Sequence, residues 1–358
     1  MNITCVVGAR PQFIKLAPFF TRCEELNHKV RNIHTGQHYD KNMSDVFFNE
    51  LGLKKPDKNL EIGSSSQTKQ IAKIILGLEE DLKRNKPDWV VVFGDTTSTI
   101  AASIVASKMN IKLAHIEAGL RSFNRDMPEE INRIVSDHIS DLLFVPSDDG
   151  MTNLKNEGLQ DKAVRTGDLM ADVLFHFKEK ISDAILERYN IKKNDYYLLT
   201  LHRPASVDEP KMLDWMMKEI LDLNKKIIFP VHPRTRLALE RTKFKDNKMI
   251  LIPPQSYLDF QSLISNSKGI LTDSGGIQKE AYLWKKPCYT LRTETEWRET
   301  IKTGWNTLVT PGKDCLLEIV NEWKKPDEHP DLYGDGEAAE KIIQEFEHQF
   351  VQGKLSKH

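Results

Sequence analysis

The stretch that most constrains this chain runs through residues 269–280 and reads Gly-Ile-Leu-Thr-Asp-Ser-Gly-Gly-Ile-Gln-Lys-Glu. A short apolar strand ends at Thr272-Asp273, and Ser274 with two glycines turns the backbone into a helix that begins near Ile277. Such a junction is an anion site. The first N–H groups of a helix lack internal partners and its N-terminus carries roughly half a positive charge, so a phosphate there is doubly favoured. With no Cβ at Gly275 or Gly276, the backbone can approach a diphosphate closely. A simpler reading makes Ser274 a helix cap and the glycines packing residues. That reading leaves Glu280 unexplained, about one turn in, where its carboxylate suits a pair of ribose hydroxyls as the acid of dinucleotide sites does.

The same strand-to-helix pattern recurs from the start of the chain. Residues 3–7 read as a buried parallel strand, followed by Gly8-Ala9-Arg10-Pro11-Gln12 and a helix to about Glu25, with Pro11 in its first turn. Arg10 and Lys15 therefore fall near a sheet's carboxyl edge, where open α/β sheets bind ligands; two solvated cations are the alternative. Residues 30–34 form the next strand, and Gln37 and His38 beyond it read as loop residues. Residues 89–93 end in Gly94-Asp95-Thr96, and residues 112–116 end in Glu117-Ala118-Gly119. Pro128-Glu129-Glu130 then opens a helix. Asp95 could cap the helix after it, and acids in a first turn ordinarily complement the dipole. Three acids on one edge, Asp95, Glu117 and one of the Glu129–Glu130 pair, suggest more. Like charges gathered in a cleft raise one another's pKa and create candidate acids and bases.

After a crossover near residues 164–169, a helical stretch at 170–189 leads to strands at 196–201, 226–231, 249–252, 269–272 and 288–291. His202-Arg203 ends the first and His232-Pro233-Arg234 the second, each either a phosphate donor or a structural turn. Trp297, in the loop after residues 288–291, could stack on a base or pack at a core edge. Strands alternating with helices at this spacing give two doubly wound parallel sheets. At about 150 residues per domain, 358 residues fit two: 1–168 and 169–337, with a charged helix at about 338–358.

Fifty-one basic against 52 acidic residues leave a net charge of −1, which argues against nucleic acid or a membrane surface as partner. Four widely spaced cysteines suggest neither a zinc site nor a disulfide framework, but buried thiols in a reducing cytosol. No run approaches a membrane span, and the scattered histidines do not suggest a tightly bound metal. The expectation is a cytoplasmic protein.

Taken together, Gly8-Ala9-Arg10-Pro11 with Lys15, Gly94-Asp95-Thr96-Thr97, His115-Ile116-Glu117-Ala118-Gly119-Leu120-Arg121, Pro128-Glu129-Glu130 with Asn132-Arg133, His202-Arg203, Pro230-Val231-His232-Pro233 and Leu271 to Gln278 with Glu280 resemble the non-hydrolysing UDP-N-acetylglucosamine 2-epimerases. The blocks follow that family's order over nearly the whole chain. The resemblance implies a GT-B-type α/β fold, with two Rossmann-like doubly wound parallel-sheet domains facing a cleft. It also implies a homodimer, and a C-terminal helix packed back on the first domain. The implied reaction uses no cofactor: UDP is eliminated across C1–C2 of the sugar, a 2-acetamidoglucal is held beside it, and UDP re-adds after C2 is protonated from the other face. Under the resemblance Asp95, Glu117 and Glu129 are the catalytic carboxylates and His202 steadies the leaving diphosphate. Arg10, Ser274, Gly275 and Gly276 contact phosphate, Glu280 the ribose, and Lys15 lies near the reacting sugar. Arg133 and His232, in matching motifs, join the substrate contacts.

Some positions depart from the family pattern. Ala9-Arg10-Pro11-Gln12 stands where Thr-Arg-Pro-Glu is common, Pro204 where a second Arg follows the His-Arg pair, and Trp297 where many members carry Arg; the loop before Pro128 is shorter. These changes are similar to the branch acting on UDP-2,3-diacetamido-2,3-dideoxyglucuronate, and they put an allosteric UDP-sugar site in doubt. Two rival readings share the UDP grip: a GT-B glycosyltransferase and a non-catalytic UDP-sugar sensor. The triple acid set favours the epimerase, since a transferase needs at most one base.

Overall fold

The computed structural model describes residues 1–36, 48, 50–231, 233–241 and 247–355. The chain divides into two compact units, Met1–His176 with Asp331–His358, and Phe177–Pro330. The first is built on a parallel sheet of seven strands: β1 (Asn2–Val7), β2 (Lys29–His34), β3 (Lys58–Asn59), β4 (Trp89–Phe93), β5 (Lys112–Ile116), β6 (Leu142–Val145) and β7 (Ala163–Arg165). Their order is β3-β2-β1-β4-β5-β6-β7. The second sheet has six strands: β8 (Tyr196–Thr200), β9 (Lys226–Pro230), β10 (Met249–Ile252), β11 (Gly269–Thr272), β12 (Cys288–Thr290) and β13 (Asn306–Leu308). Its order, β10-β9-β8-β11-β12-β13, is the same winding.

In each sheet the chain runs outward in one direction, returns to the middle, and runs outward in the other. The reversal falls between β1 and β4 in the first unit and between β8 and β11 in the second. Loops leaving the carboxyl ends of two such neighbouring strands diverge to opposite faces, and the crevice between them is where doubly wound sheets bind ligands. Arg10 and Asp95 follow β1 and β4; His202 and Ser274 follow β8 and β11.

The central strands are buried on both faces, as continuous apolar runs such as Trp89-Val90-Val91-Val92-Phe93 require. One face of the first sheet packs Val6, Ile33, Val90 and Val92 beneath the helices Gln67–Arg84 and Thr97–Lys108. Against the other lies the C-terminal helix Ala338–Leu355 beside the helix Arg10–Glu25, with Phe346 fully buried among Phe19, Trp89 and Phe144. Arg22–Glu340 and His28–Glu347 ion pairs fasten its rim.

Residues 170–189 do not form one helix. A helix at Leu169–Phe177 ends in a single 3-10 turn, Lys178–Lys180, and a short helix at Ala184–Arg188 follows. The break comes where the apolar residues change cores: Leu169 to Leu174 are buried in the first unit, whereas Ile185 and Leu186 pack with Leu198 and Ile264 in the second. The polar Lys178-Glu179-Lys180 between them has no core to join. For the same reason the first unit runs on through His176. Asp172 on that helix accepts from the N–H groups of Ala338 (3.0 Å) and Ala339 (2.8 Å), capping the returning helix within its own unit.

Candidate active site

In the first unit, the helix after β1 and the loops after β4 and β5 bring Lys15, Asp95 and Glu117 to the carboxyl edge. Glu117 stands at φ +72°, a left-handed backbone that a long side chain rarely adopts. Strain of this kind persists where surrounding bonds enforce it, and it collects at functional sites. Here the N–H groups of Glu117 and Ala118 both donate to the Phe144 carbonyl at the end of β6. The Glu117 carboxylate meets Lys15 Nζ at 2.6 Å, with side chains 9% and 8% exposed. Both line a recess that also includes Asp168.

Asp95 is not a helix cap. Thr96 takes that role, its hydroxyl accepting from Thr99 N at the start of the helix Thr97–Lys108. The Asp95 carboxylate, 29% exposed, instead meets Arg133 Nη2 at 2.5 Å, while Asn132 holds its backbone carbonyl at 2.8 Å. Both partners come from the helix Pro128–Ile139. Its two leading acids, indistinguishable in sequence, have separate tasks. Glu130 is buried and accepts from Ser122 N (2.8 Å), Phe123 N (2.9 Å) and Arg133 Nη1 (2.8 Å), pinning the loop before the helix. Glu129 is half-buried and takes no part in that network. Arg133, expected among the substrate contacts, is 2% exposed with two nitrogens on Glu130 and Asp95; it holds Asp95 in place. Asp95 thus shares Arg133 with Glu130, while Glu117 faces Lys15, so each of the two acids has a cation beside it.

Two networks behind these groups were not legible in the sequence. The buried Gln12 carboxamide accepts from Gly8 N (2.8 Å) and Ala9 N (3.0 Å) and donates to the Phe93 carbonyl (2.7 Å), tying the β1 loop that carries Arg10 to the end of β4. The second centres on Asp137, fully buried in the helix Pro128–Ile139. It contacts His115 Nδ1 at 2.7 Å, Arg121 Nη1 at 2.7 Å and Gly119 N at 3.1 Å; His115 Nε2 lies 2.7 Å from the Gly94 carbonyl. Burial opposes ionisation of Asp137, but His115 and Arg121 outweigh it and hold the carboxyl below the ordinary aspartate range. One carboxylate thus braces the loops bearing Asp95 and Glu117.

In the second unit the helix Gly275–Leu283 starts directly after Ser274, whose hydroxyl makes no capping bond. The first N–H groups are thus not satisfied by the side chain that the capping reading invoked. The two glycines have different reasons to be glycine. A Cβ at Gly275 would lie 2.2 Å from Glu296 Oε1, a carboxylate itself anchored by Arg292 Nη1 at 3.1 Å. A Cβ at Gly276 would meet nothing within 4 Å. Gly275→Ala is therefore expected to cost about 1–3 kcal/mol of stability by overpacking, while Gly276→Ala keeps wild-type stability; thermal melts of the two variants check this.

His202, at the end of β8, is exposed, and its Nδ1 lies 3.1 Å from Asp273, the fully buried last residue before Ser274. Asp273 also accepts from the backbone N–H of His202 (3.0 Å) and Arg203 (2.9 Å). Burial opposes its charge, but these bonds and the His202 ring prevail and its pKa is lowered. Asp273 lies inside the motif that sequence singles out, yet nothing in the sequence shows that it fixes His202. Glu280 is 8% exposed, with Gln261 Nε2 at 2.9 Å from its carboxylate. His232 lies outside the described residues. Trp297 is buried, with Lys279 Nζ 4.1 Å from its ring centroid, a cation–π contact that makes it a packed edge.

Two doubly wound sheets, with acids beside one reversal point and a carboxylate-held histidine next to an uncapped helix start at the other, are the equipment of an enzyme acting on a nucleotide-linked substrate. The family model described as UDP-N-acetylglucosamine 2-epimerase matches residues 21–347. The chain belongs to that family, whose members are carbohydrate epimerases, and its fold is of the GT-B type. A UDP-N-acetylglucosamine 2-epimerase homolog from Methanococcus maripaludis is 46% identical over 353 residues, covering 96% of this chain and 99% of that protein. The UDP-2,3-diacetamido-2,3-dideoxy-D-glucuronate 2-epimerase of Pseudomonas aeruginosa is 39% identical, covering 96% and 99%. The crystal structure of Methanocaldococcus jannaschii UDP-GlcNAc 2-epimerase in complex with UDP-GlcNAc and UDP is 39% identical. It superposes with a TM-score of 0.92 over 97% of this chain and 100% of that one. No helix among the described residues is long and apolar enough to cross a membrane.

Proposed function

We propose that this enzyme interconverts UDP-GlcNAc and UDP-ManNAc by eliminating and re-adding UDP. The C2 hydrogen of the sugar lies beside an acetamido nitrogen and no carbonyl, so direct deprotonation is very unfavourable. Breaking the C1–O bond as the C2 proton leaves yields 2-acetamidoglucal and UDP. A proton delivered to the opposite face of C2, with return of UDP to C1, completes the inversion. Two proton carriers and a grip on the leaving diphosphate are needed. Asp95, Glu117 and Glu129 are the acids we assign to the first task. Arg10, His202, Ser274, Gly275 and Gly276 we assign to the diphosphate, Glu280 to the ribose, and Lys15 to the reacting sugar. The observation that carries the reading is Glu117, held in a strained backbone with its carboxylate against Lys15 at the carboxyl edge of the sheet.

A second substrate, the UDP-2,3-diacetamido-2,3-dideoxy-glucuronate and mannuronate pair, is favoured by one feature. Trp297, one of the departures from the family pattern, is buried and packed on Lys279. We further propose a cytoplasmic homodimer that supplies sugar nucleotides for surface polysaccharide or glycan synthesis. Incubation with each UDP-sugar in D₂O, followed by NMR, decides between the readings. Deuterium at C2 of the recovered sugar and appearance of its C2 epimer are expected. Transfer of the sugar to an acceptor without C2 exchange overturns the epimerase in favour of a glycosyltransferase, and binding with neither reaction leaves a sensor.

A further inference from the structure

We propose that Gln261 and Trp284 are positioning residues for nucleotide recognition. They hold the Glu280 carboxylate in the orientation that accepts ribose hydroxyls, and so set a preference for ribonucleotides over deoxyribonucleotides. The inference rests on the reading of Glu280 as the ribose contact. Gln261 is fully buried in the helix Tyr257–Ser265, and Glu280 lies in the helix Gly275–Leu283. Gln261 Nε2 donates to Glu280 Oε2 at 2.9 Å, and Trp284 Nε1 donates to Gln261 Oε1 at 2.8 Å.

Chemistry fixes the direction of both bonds. An indole N–H can only donate, so the Gln261 carbonyl must turn to Trp284 and its NH₂ must turn to Glu280. The opposite amide orientation would set a donor against a donor and an acceptor against a carboxylate. Trp284 ends the same helix that carries Glu280, so the relay closes on itself: the helix sets the indole, the indole sets the amide, and the amide sets the carboxylate. That helix also begins at Gly275, so one rigid element carries both the phosphate loop and the ribose acceptor. An unrestrained glutamate would have to be ordered when the nucleotide binds. Here the ordering is completed on folding, which is how preorganisation gains affinity.

Calorimetric titration of the full-length protein with UDP and with 2′-deoxy-UDP tests the relay. The wild type is expected to bind UDP at least roughly tenfold more tightly, because losing a hydroxyl leaves a charged acceptor without its partner. Gln261→Leu is expected to cut that ratio roughly fivefold by weakening UDP while 2′-deoxy-UDP binds as before. Trp284→Phe keeps an aromatic ring at the position and deletes the donor; a smaller loss of the same kind is expected, and this variant decides the matter if Gln261→Leu does not fold. Equal weakening of both nucleotides, or an unchanged ratio, overturns the proposal. Glu280→Gln separates it from the reading beneath. If that variant keeps the wild-type ratio, Glu280 is not the ribose contact. If it abolishes the ratio while the Gln261 and Trp284 variants keep it, the positioning role alone fails.

Discussion

Glu117→Gln is expected to lower kcat by about 10²–10⁴-fold while the Kd for UDP changes by less than about threefold, the range associated with loss of one proton carrier. The side chains are nearly isosteric, and the amide oxygen can still accept from Lys15, so the recess keeps its shape. What is lost is the ability to carry a proton. Because Glu117 is 9% exposed and faces Lys15 at 2.6 Å, the substitution also leaves a buried cation without its counter-charge, which is strongly destabilising in a dry site. The two effects separate when turnover and thermal stability of Glu117→Gln are measured side by side. Turnover lost far beyond the loss of folded enzyme marks a proton carrier, whereas turnover lost only in step with stability would remove Glu117 from the catalytic set.

The strained backbone at Glu117 sharpens this expectation. A glycine would occupy φ +72° without cost, and yet the chain places a long acid there. Bonds from its own N–H and that of Ala118 to Phe144 hold the turn, so β6 enforces a geometry in β5's loop that no local preference would choose. The strain is thus supported by long-range pairing, which is why the sequence could show an acid at a strand end but not its conformation.

Legibility followed range. The central strands could be read because burial on both faces makes each a continuous apolar run, and the reversal points follow from their order once pairing is known. The edge strands β3, β7 and β13, two or three residues long, carry too little pattern to be seen. They exist because a neighbouring strand offers them partners. Asp95, Glu117 and Glu280 were visible because each sits within a few residues of a strand end or a helix start. Which acid of the Glu129–Glu130 pair is structural was not, since both fill the first helical turn and a bond to Ser122 and Phe123 decides it. Gln12 reaches Phe93, 81 positions away, and nothing local marks it. The stretch at 170–189 misled because helical periodicity says that residues are buried and not which core buries them.

Asp137 shows how much of the site depends on a residue without any local signal, and its removal should have the second large effect. Asp137→Ala deletes a buried carboxylate that His115, Arg121 and Gly119 all face, leaving the buried His115 ring and Gly119 N–H without it and Arg121 with Glu157 as its remaining carboxylate. Breaking such a buried cluster costs about 3–5 kcal/mol, which corresponds to a fall of roughly 6–20 °C in the melting midpoint of a unit this size. The pH dependence gives the sign. Asp137 has a lowered pKa in the folded chain, so its ionised form contributes stability fully above the unfolded value of about 3.9 and progressively less as the pH falls through the depressed folded value. Wild type and Asp137→Ala should therefore differ most near neutrality and converge in acid. Melting curves from pH 7 down to pH 3 measure this, and a gap that stayed constant across the range would mean that Asp137 contributes packing and not charge. Because His115 reaches from Asp137 to the Gly94 carbonyl next to Asp95, activity should fall further than the folded fraction at 25 °C. Turnover lost only in step with folding would place Asp137 in the scaffold alone.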